Sequence, residues 1–186
     1  MFDLRKSNVL TLDPVVTNLC NGSRCQIQSG EVQSRGFELE GKASLSDNLD
    51  ITAAYAYLDA KTSKSNNTVS VSPGSGVANG AAESAEGKTL VAIPRHTASA
   101  GADYTFRNGD LKGFGVGGGA RYVGSTYGDE ANSFKAPGYT LFDASAHYDI
   151  PSLYNPMDNL RLALNVTNLA NKEYVASCSG YGWCWY

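Results

Sequence analysis

The chain has 186 residues, a formal net charge of −3, twenty glycines and eleven tyrosines. That charge gives no electrostatic case for nucleic acid as a partner, and no run of about eighteen or more apolar residues is present to make a transmembrane helix. A membrane barrel stays open, because its sequence signal is only a weak alternation in segments of about ten residues, and glycine with interfacial tyrosine suits such a wall.

Residues 1–17, opening MFDLRKSNVLTL, show no charged leader followed by an apolar core and a cleavage site, so they are not a signal peptide. They read as one ragged extended segment ending near Pro14. Cys20 and Cys25 bracket a tight loop, Asn21-Gly22-Ser23. The first clear strand follows, with Phe37, Leu39, Gly41, Ala43 and Leu45 alternating with Glu38, Glu40, Lys42 and Ser44. Ser46-Asp47-Asn48 is a turn. The next strand runs from Leu49 to about Lys61, with Leu49, Ile51, Ala53, Tyr55 and Tyr57 on one face and Asp50, Thr52, Ala54 and Ala56 on the other.

Residues 62–88 are dominated by Ser, Asn, Gly and Ala and read as a long loop without the aromatics a main ligand contact needs. A third strand is expected over Thr89–Phe106, then a turn at Arg107-Asn108-Gly109-Asp110. A fourth is expected over Leu111–Tyr127, a loop over Gly128–Pro137, and a fifth strand over Gly138–Ile150. Pro151–Asn159 leads into a sixth strand, where Leu160, Leu162, Leu164 and Val166 alternate with Arg161, Ala163, Asn165 and Thr167. A polar segment, Asn168–Tyr174, precedes a short loop bracketed by Cys178 and Cys184 and crowded with Tyr181, Trp183, Trp185 and Tyr186.

Short connections (46–48, 107–110, 151–159) alternate with longer ones (62–88, 128–137, 175–186). Outer-membrane barrels have this asymmetry, with short turns at one end and long loops at the other. A soluble sandwich has no reason to sort loop length by end. Tyr55 and Tyr57, Tyr104 and Phe106, Tyr122 and Tyr127, and Tyr139 and Tyr148 gather near strand ends, as two interfacial belts would.

Catalytic chemistry finds little support. Gly113-Phe114-Gly115-Val116-Gly117-Gly118 matches G-x-G-x-x-G, but the period-two pattern continues through Val123 where a dinucleotide site needs a helix. His96 and His147 lie on different strands without an i+4 partner, and no serine sits in a nucleophile elbow. Asp143, His147 and Asp149 share a strand face and read as part of a solvated polar wall. The cysteines fall into two close pairs, Cys20/Cys25 and Cys178/Cys184, which suits two local disulfides in an oxidising compartment. The rival reading is one zinc site using all four. The second pair is spaced more widely than the usual knuckle, and the pairs lie far apart in sequence.

The run NVTNLANKEYVASC (165–178), followed by the aromatic cysteine loop, closely resembles the last loop of TonB-dependent siderophore receptors, and Gly30–Glu40, GEVQSRGFELE, resembles a second recurrent stretch of that family. The resemblance implies an all-β fold, antiparallel strands from the C-terminal part of a 22-stranded outer-membrane β-barrel. Six or seven strands would make an open curved sheet here. Residues 1–186 would be a partial barrel domain, without the plug domain and without the final strand. The implied function is TonB-dependent uptake of ferric siderophores of a hydroxamate-like kind across the Gram-negative outer membrane, with no enzymatic activity and no transport by this stretch alone. The implied partners are the ferric siderophore, the TonB complex through the missing N-terminal part, and outer-membrane lipid and lipopolysaccharide. No cofactor is expected, iron entering only as part of the siderophore. Glu38, Glu40, Lys42, Asp50, Asp103, Arg121, Asp143 and Arg161 would line the lumen, a wall that packs against the plug in the family.

Aromatic walls often hold siderophores, so Tyr127, Tyr181, Trp183 and Trp185 are the candidates for ligand contact, with interfacial or loop packing as the competing role. The alternatives to the receptor are a passive outer-membrane pore or adhesin barrel, and a secreted soluble β-sandwich binding module.

Overall fold

The computed structural model describes residues 1–15, 17–70, 82–150, 160–179 and 183–186. Its frame is one antiparallel sheet of seven strands in sequential order: β1 (Phe2–Leu12), β2 (Gln26–Ser46), β3 (Leu49–Lys64), β4 (His96–Thr105), β5 (Phe114–Val123), β6 (Tyr139–Ile150) and β7 (Leu160–Val166). Every strand pairs with its chain neighbours, so the sheet is a meander. Among the described residues β1 and β7 form its two unpaired edges, and the sheet does not close.

The alternation seen in the sequence becomes two faces. Register pairs Leu39 with Tyr55, Tyr55 with Ala98, Ala98 with Tyr122, and Ala146 with Leu164, which puts the apolar set on one side. Leu39, Leu45, Phe142, Leu162 and Leu164 are all more than half exposed there. The opposite side carries Glu40, Lys42, Asp50, Asp103, Arg121, Asp143 and Arg161. A hollow of about 620 Å³ bordered by Lys42, Asp50, Asp103, Arg121 and Asp143 lies against it, marking the polar side as the concave one. Cross-strand ion pairs run along this wall: Arg121 Nε to Asp143 at 2.6 Å and Arg161 Nε to Asp149 at 2.5 Å.

Aromatic belts mark both ends of the apolar side. At the loop end the ring centroids of Phe37 and Tyr57 are 5.9 Å apart and those of Tyr57 and His96 5.2 Å apart, and Tyr55 Oη lies 2.8 Å from His96 Nδ1. At the turn end Tyr104 packs edge-on to Phe106 at 4.9 Å, and Phe106 stacks with Phe114 at 6.2 Å. Tyr139 belongs to neither belt: its ring lies 4.1 Å from that of Tyr174, on the concave side with Arg121 and Asp143.

Several boundaries differ from the sequence reading. β2 begins at Gln26, not at Phe37, because its first half pairs with β1 beyond the apolar band, where the side chains sharing Phe37's face are Glu31, Gln33 and Arg35. A bulge at Asn8, held at φ 60°, shifts the register of this pair. β4 begins at His96 rather than Thr89; Pro94, which lacks an N–H, precedes it, and Thr89 makes only an isolated bridge to Lys61. β5 spans Phe114–Val123, shorter than Leu111–Tyr127, and Tyr127 belongs to a separate two-residue hairpin, Thr126–Tyr127 with Lys135–Ala136. The glycine-rich run is strand, with no helix after it. The loop expected over 62–88 includes the end of β3 and a short ladder, Thr68–Ser70 with Ala82–Ser84. The connection expected at Pro151–Asn159 lies outside the described residues, as does part of that loop, 71–81.

Most buried side chains sit at the loop end. Among the described residues Ala60, Val69, Ala131 and Ala136 are buried, Val69 and Ala131 packing with Ala85. A single-layer wall has no interior of its own, so burial appears where loops fold back over it.

Candidate functional site

At the loop end the described connections are held by hydrogen bonds, and exposed aromatic side chains stand beside them. Three connections are tied to each other and to the strands. Leu12 N–H donates to Asn67 Oδ1 at 2.7 Å. Asn132 clasps the backbone of Thr89 from both sides: its Oδ1 accepts from Thr89 N–H at 2.7 Å and its Nδ2 donates to Thr89 C=O at 2.9 Å. Ala92 N–H donates to Tyr127 C=O at 3.0 Å. A side-chain amide replaces a missing strand partner in the first two cases, which keeps backbone groups paired where no ladder exists.

The segment after β7 folds by similar means. Asn168 and Asn171 take left-handed backbone conformations, φ 52° and 46°, a region that asparagine tolerates better than other residues with a side chain. The Asn168 side chain accepts from Lys172 N–H at 2.9 Å and donates to Lys172 C=O at 3.0 Å. Asn168 N–H donates to Asp143 Oδ1 at 3.0 Å, so one carboxylate ties this segment to the Arg121 guanidinium on the concave wall. Tyr174 then covers Tyr139.

Beyond it stands a small hairpin, Ser177–Cys178 paired with Cys184–Trp185, with Cys178 and Cys184 joined by a disulfide. Backbone bonds from Ala176 N–H to Trp185 C=O and from Ser179 N–H to Trp183 C=O, both 2.8 Å, extend its ladder. Trp183 is 73% exposed, Trp185 55% and Tyr186 90%, so the hairpin presents aromatic surface outward. Tyr181 lies outside the described residues. A second disulfide, Cys20–Cys25, closes the hairpin Leu19–Cys20 with Ser23–Arg24. The four cysteines form two local disulfides.

Tyr127 stands elsewhere. Its ring lies under Lys135 Nζ, 4.7 Å from the centroid, and it borders a hollow of about 240 Å³ with Arg95, His96 and Tyr122. Sequence reasoning grouped it with the tryptophans by residue type. The structure instead groups it with Arg95, His96 and Lys135, residues that no motif singles out. His147 sits on the concave wall, Nδ1 3.9 Å from Asp103 and Nε2 3.4 Å from Thr105 Oγ1, an ordinary polar-wall arrangement. Among the described residues no group of three His, Cys, Asp or Glu side chains is placed to hold a metal ion.

Comparison with known proteins gives this geometry a context. Residues 1–169 match the family model "TonB dependent receptor-like, beta-barrel". The chain is 38% identical over 186 residues to the ferrichrome outer membrane transporter/phage receptor of Escherichia coli K12, covering all of this chain and 22% of that protein. It is 37% identical over 157 residues to the ferrioxamine B receptor of Salmonella typhimurium, covering 84% of this chain and 20% of the relative. Among solved structures, BauA, the ferric preacinetobactin receptor of Acinetobacter baumannii, superposes with a TM-score of 0.68 at 25% identity over 93% of this chain and 22% of its own. The siderophore receptor PiuA of the same species gives 0.66 at 26% identity over 98% of this chain and 22% of its own. The chain spans about a fifth of the length of the curated relatives it matches.

Proposed function

Because the chain belongs to the TonB dependent receptor-like β-barrel family, we propose that it is a section of the wall and loops of a Gram-negative outer-membrane receptor for ferric siderophores. The observation that carries this reading is the two-sided wall. An exposed apolar side bounded by two aromatic belts suits lipid, and a concave side lined with ion pairs suits a water-filled or plug-filled lumen. The open edges β1 and β7 suit the same reading, since unpaired N–H and C=O groups cannot face lipid and need neighbouring strands from the rest of a barrel. The loop end is then the outer one, and the short turns face the periplasm.

The receptor would take ferric siderophores of the hydroxamate kind, as the names of its ferrichrome and ferrioxamine relatives suggest, and carry them inward on energy delivered by TonB to parts of the receptor beyond these residues. It would act by binding and gating, without catalysis and without a resident cofactor. Trp183 and Trp185, with Tyr181, are the residues we assign to ligand contact. Trp183 and Trp185 offer an exposed aromatic surface on a hairpin stapled by the Cys178–Cys184 disulfide. Tyr127 has the weaker claim, because its ring is already covered by Lys135.

Titration of the full-length receptor in detergent with a ferric hydroxamate tests the assignment. Ligand should quench intrinsic tryptophan fluorescence, and replacing both Trp183 and Trp185 by alanine should weaken binding by about tenfold or more, one to two aromatic contacts' worth. Unchanged affinity in the double variant would overturn it.

A further inference from the structure

A further hollow, of about 440 Å³, lies against the loop end of the wall. Val32 and Thr62, which pair across β2 and β3, both border it, and Val32 shares its strand face with Glu38 and Glu40, so the hollow lies on the concave side. Val9, Val32, Val69, Leu90, Val91 and Ile93 give it an aliphatic lining. That lining is held in place: Leu90 N–H donates to Ala60 C=O at 3.0 Å, and Val69 packs with Ala85 and Ala131. Three charged side chains border the hollow, Lys64, Lys88 and Glu130. Both cations are already engaged, Lys64 by Glu31 at 3.8 Å and Lys88 by Glu83 at 2.5 Å. Glu130 forms no ion pair among the described residues. Its neighbours fix its position, since Ala131 is buried against Val69 and Asn132 clasps the backbone of Thr89. An aliphatic lining thus meets one uncompensated carboxylate on an anchored loop.

We propose that this hollow takes an alkylammonium chain carried by the ferric siderophore, its methylenes along the aliphatic lining and its terminal ammonium at the Glu130 carboxylate. The proposal rests on the siderophore-receptor reading above, which makes the concave loop end the inner wall of the outward mouth. It narrows the ligand to hydroxamates that bear a free amine. Ligand pockets of about 300–1,000 Å³ combine an apolar lining with a few placed polar groups, and this hollow has that size and composition. In a ferric hydroxamate core the hydroxamate anions offset the ferric charge, so a carboxylate gains little from the core and reads the tail. A primary ammonium is a compact cation with donors only, on a flexible alkyl stem, which complements this lining and this charge. A neutral tail would cover Glu130 without pairing it, and an anionic tail would meet repulsion, because Lys64 and Lys88 already hold glutamates of their own.

The test uses the full-length receptor in detergent and two probes, a linear ferric trihydroxamate ending in a primary amine and the same compound acetylated on that amine. The native receptor should bind the amine about fivefold more tightly, an exposed ion pair's worth, and the preference should shrink as salt is raised. Glu130→Gln should bind the two probes alike, and Glu130→Asp should retain most of the preference. Val91→Asn, which puts a polar group into the lining, should weaken both probes by a similar factor and leave their ratio unchanged. The compact migration of unheated receptor on gels should be the same in all forms. Equal affinity of the native receptor for the two probes would overturn the proposal while leaving the siderophore reading standing. A preference that survives in Glu130→Gln would overturn the role of that carboxylate, and native affinity for both probes in Val91→Asn would overturn the placement of the chain in the hollow. A receptor that binds neither probe would overturn the hydroxamate reading and the proposal with it.

Discussion

Replacing Leu164 by arginine puts the two-sided wall to a quantitative test. Leu164 is 66% exposed on the apolar side, paired with Ala146 on β6 and four residues along β7 from Leu160. Strand residues rise about 3.4 Å each, and a barrel strand tilts by about 40°, so Leu164 lies about 10 Å into an apolar band about 25 Å tall. That is close to the middle of the bilayer, where arginine costs about 2–4 kcal/mol on the lipid face. The neighbouring Ala163 pairs with His147 on the concave side, and arginine there meets water and the Asp149 carboxylate's surroundings. Its cost should stay below about 1 kcal/mol. Urea unfolding of the full-length receptor in lipid vesicles, read by the mobility of unheated samples on gels, measures both. Leu164→Arg should lower the folded-to-unfolded ratio by about 30-fold to 1,000-fold, and Ala163→Arg by a few-fold at most. If Ala163→Arg proves the costly one, or the two are equal, the assignment of faces is wrong.

Three further outcomes follow from particular contacts. A side-chain carbon on Gly115 would lie 2.1 Å from the His147 ring, so Gly115→Ala should destabilise the receptor by about 1–3 kcal/mol, and His147→Ala in the same chain should recover most of the loss in a double-mutant cycle of urea midpoints. Asp143→Ala removes the carboxylate shared by Arg121 and the Asn168 N–H, so limited proteolysis should cut within residues 168–174 faster than in the native receptor; an unchanged cleavage rate would show that the tie is idle. Peptide mapping without reduction should recover Cys20 linked to Cys25 and Cys178 linked to Cys184, and cross-links between the two hairpins or free thiols in protein from the cell envelope would contradict the pairing.

How much of this was legible in the sequence depended on where each residue lies relative to the apolar band. Phe37–Leu45, Leu49–Tyr57 and Leu160–Val166 cross it, and solvent contrast between the two sides wrote a period of two into them. Residues 26–36 of β2 do not cross it. The side that carries Phe37 further along is polar here, Arg35 pairing with Asp3 and Gln33 bonding Asp3, so the strand carries no hydrophobic alternation to read. Ser125, Thr126 and Tyr127 look like a continuation of β5, which ends at Val123. The break lies at Gly124, whose missing side chain lets it approach the backbone of His96: a carbon there would sit 2.9 Å from His96 C=O. The exposed aromatic hairpin was visible in outline, since two cysteines around Trp183 leave few ways to fold. The hollow around Arg95 and Lys135 was not, because its two cations are forty residues apart and meet only through a loop that Asn132 and Thr89 hold in place.

The central claim is that these residues belong to an energised siderophore receptor, and uptake of radiolabelled iron tests it most directly. The full-length receptor, expressed in a receptor-deficient Gram-negative strain, should carry labelled iron into cells as a ferric hydroxamate when TonB is present. It should carry none when TonB is deleted, although the ligand still binds at the surface. Uptake that persists at the same rate without TonB would describe a passive pore and would contradict the claim, as would a receptor at the outer membrane that neither binds nor imports any ferric siderophore.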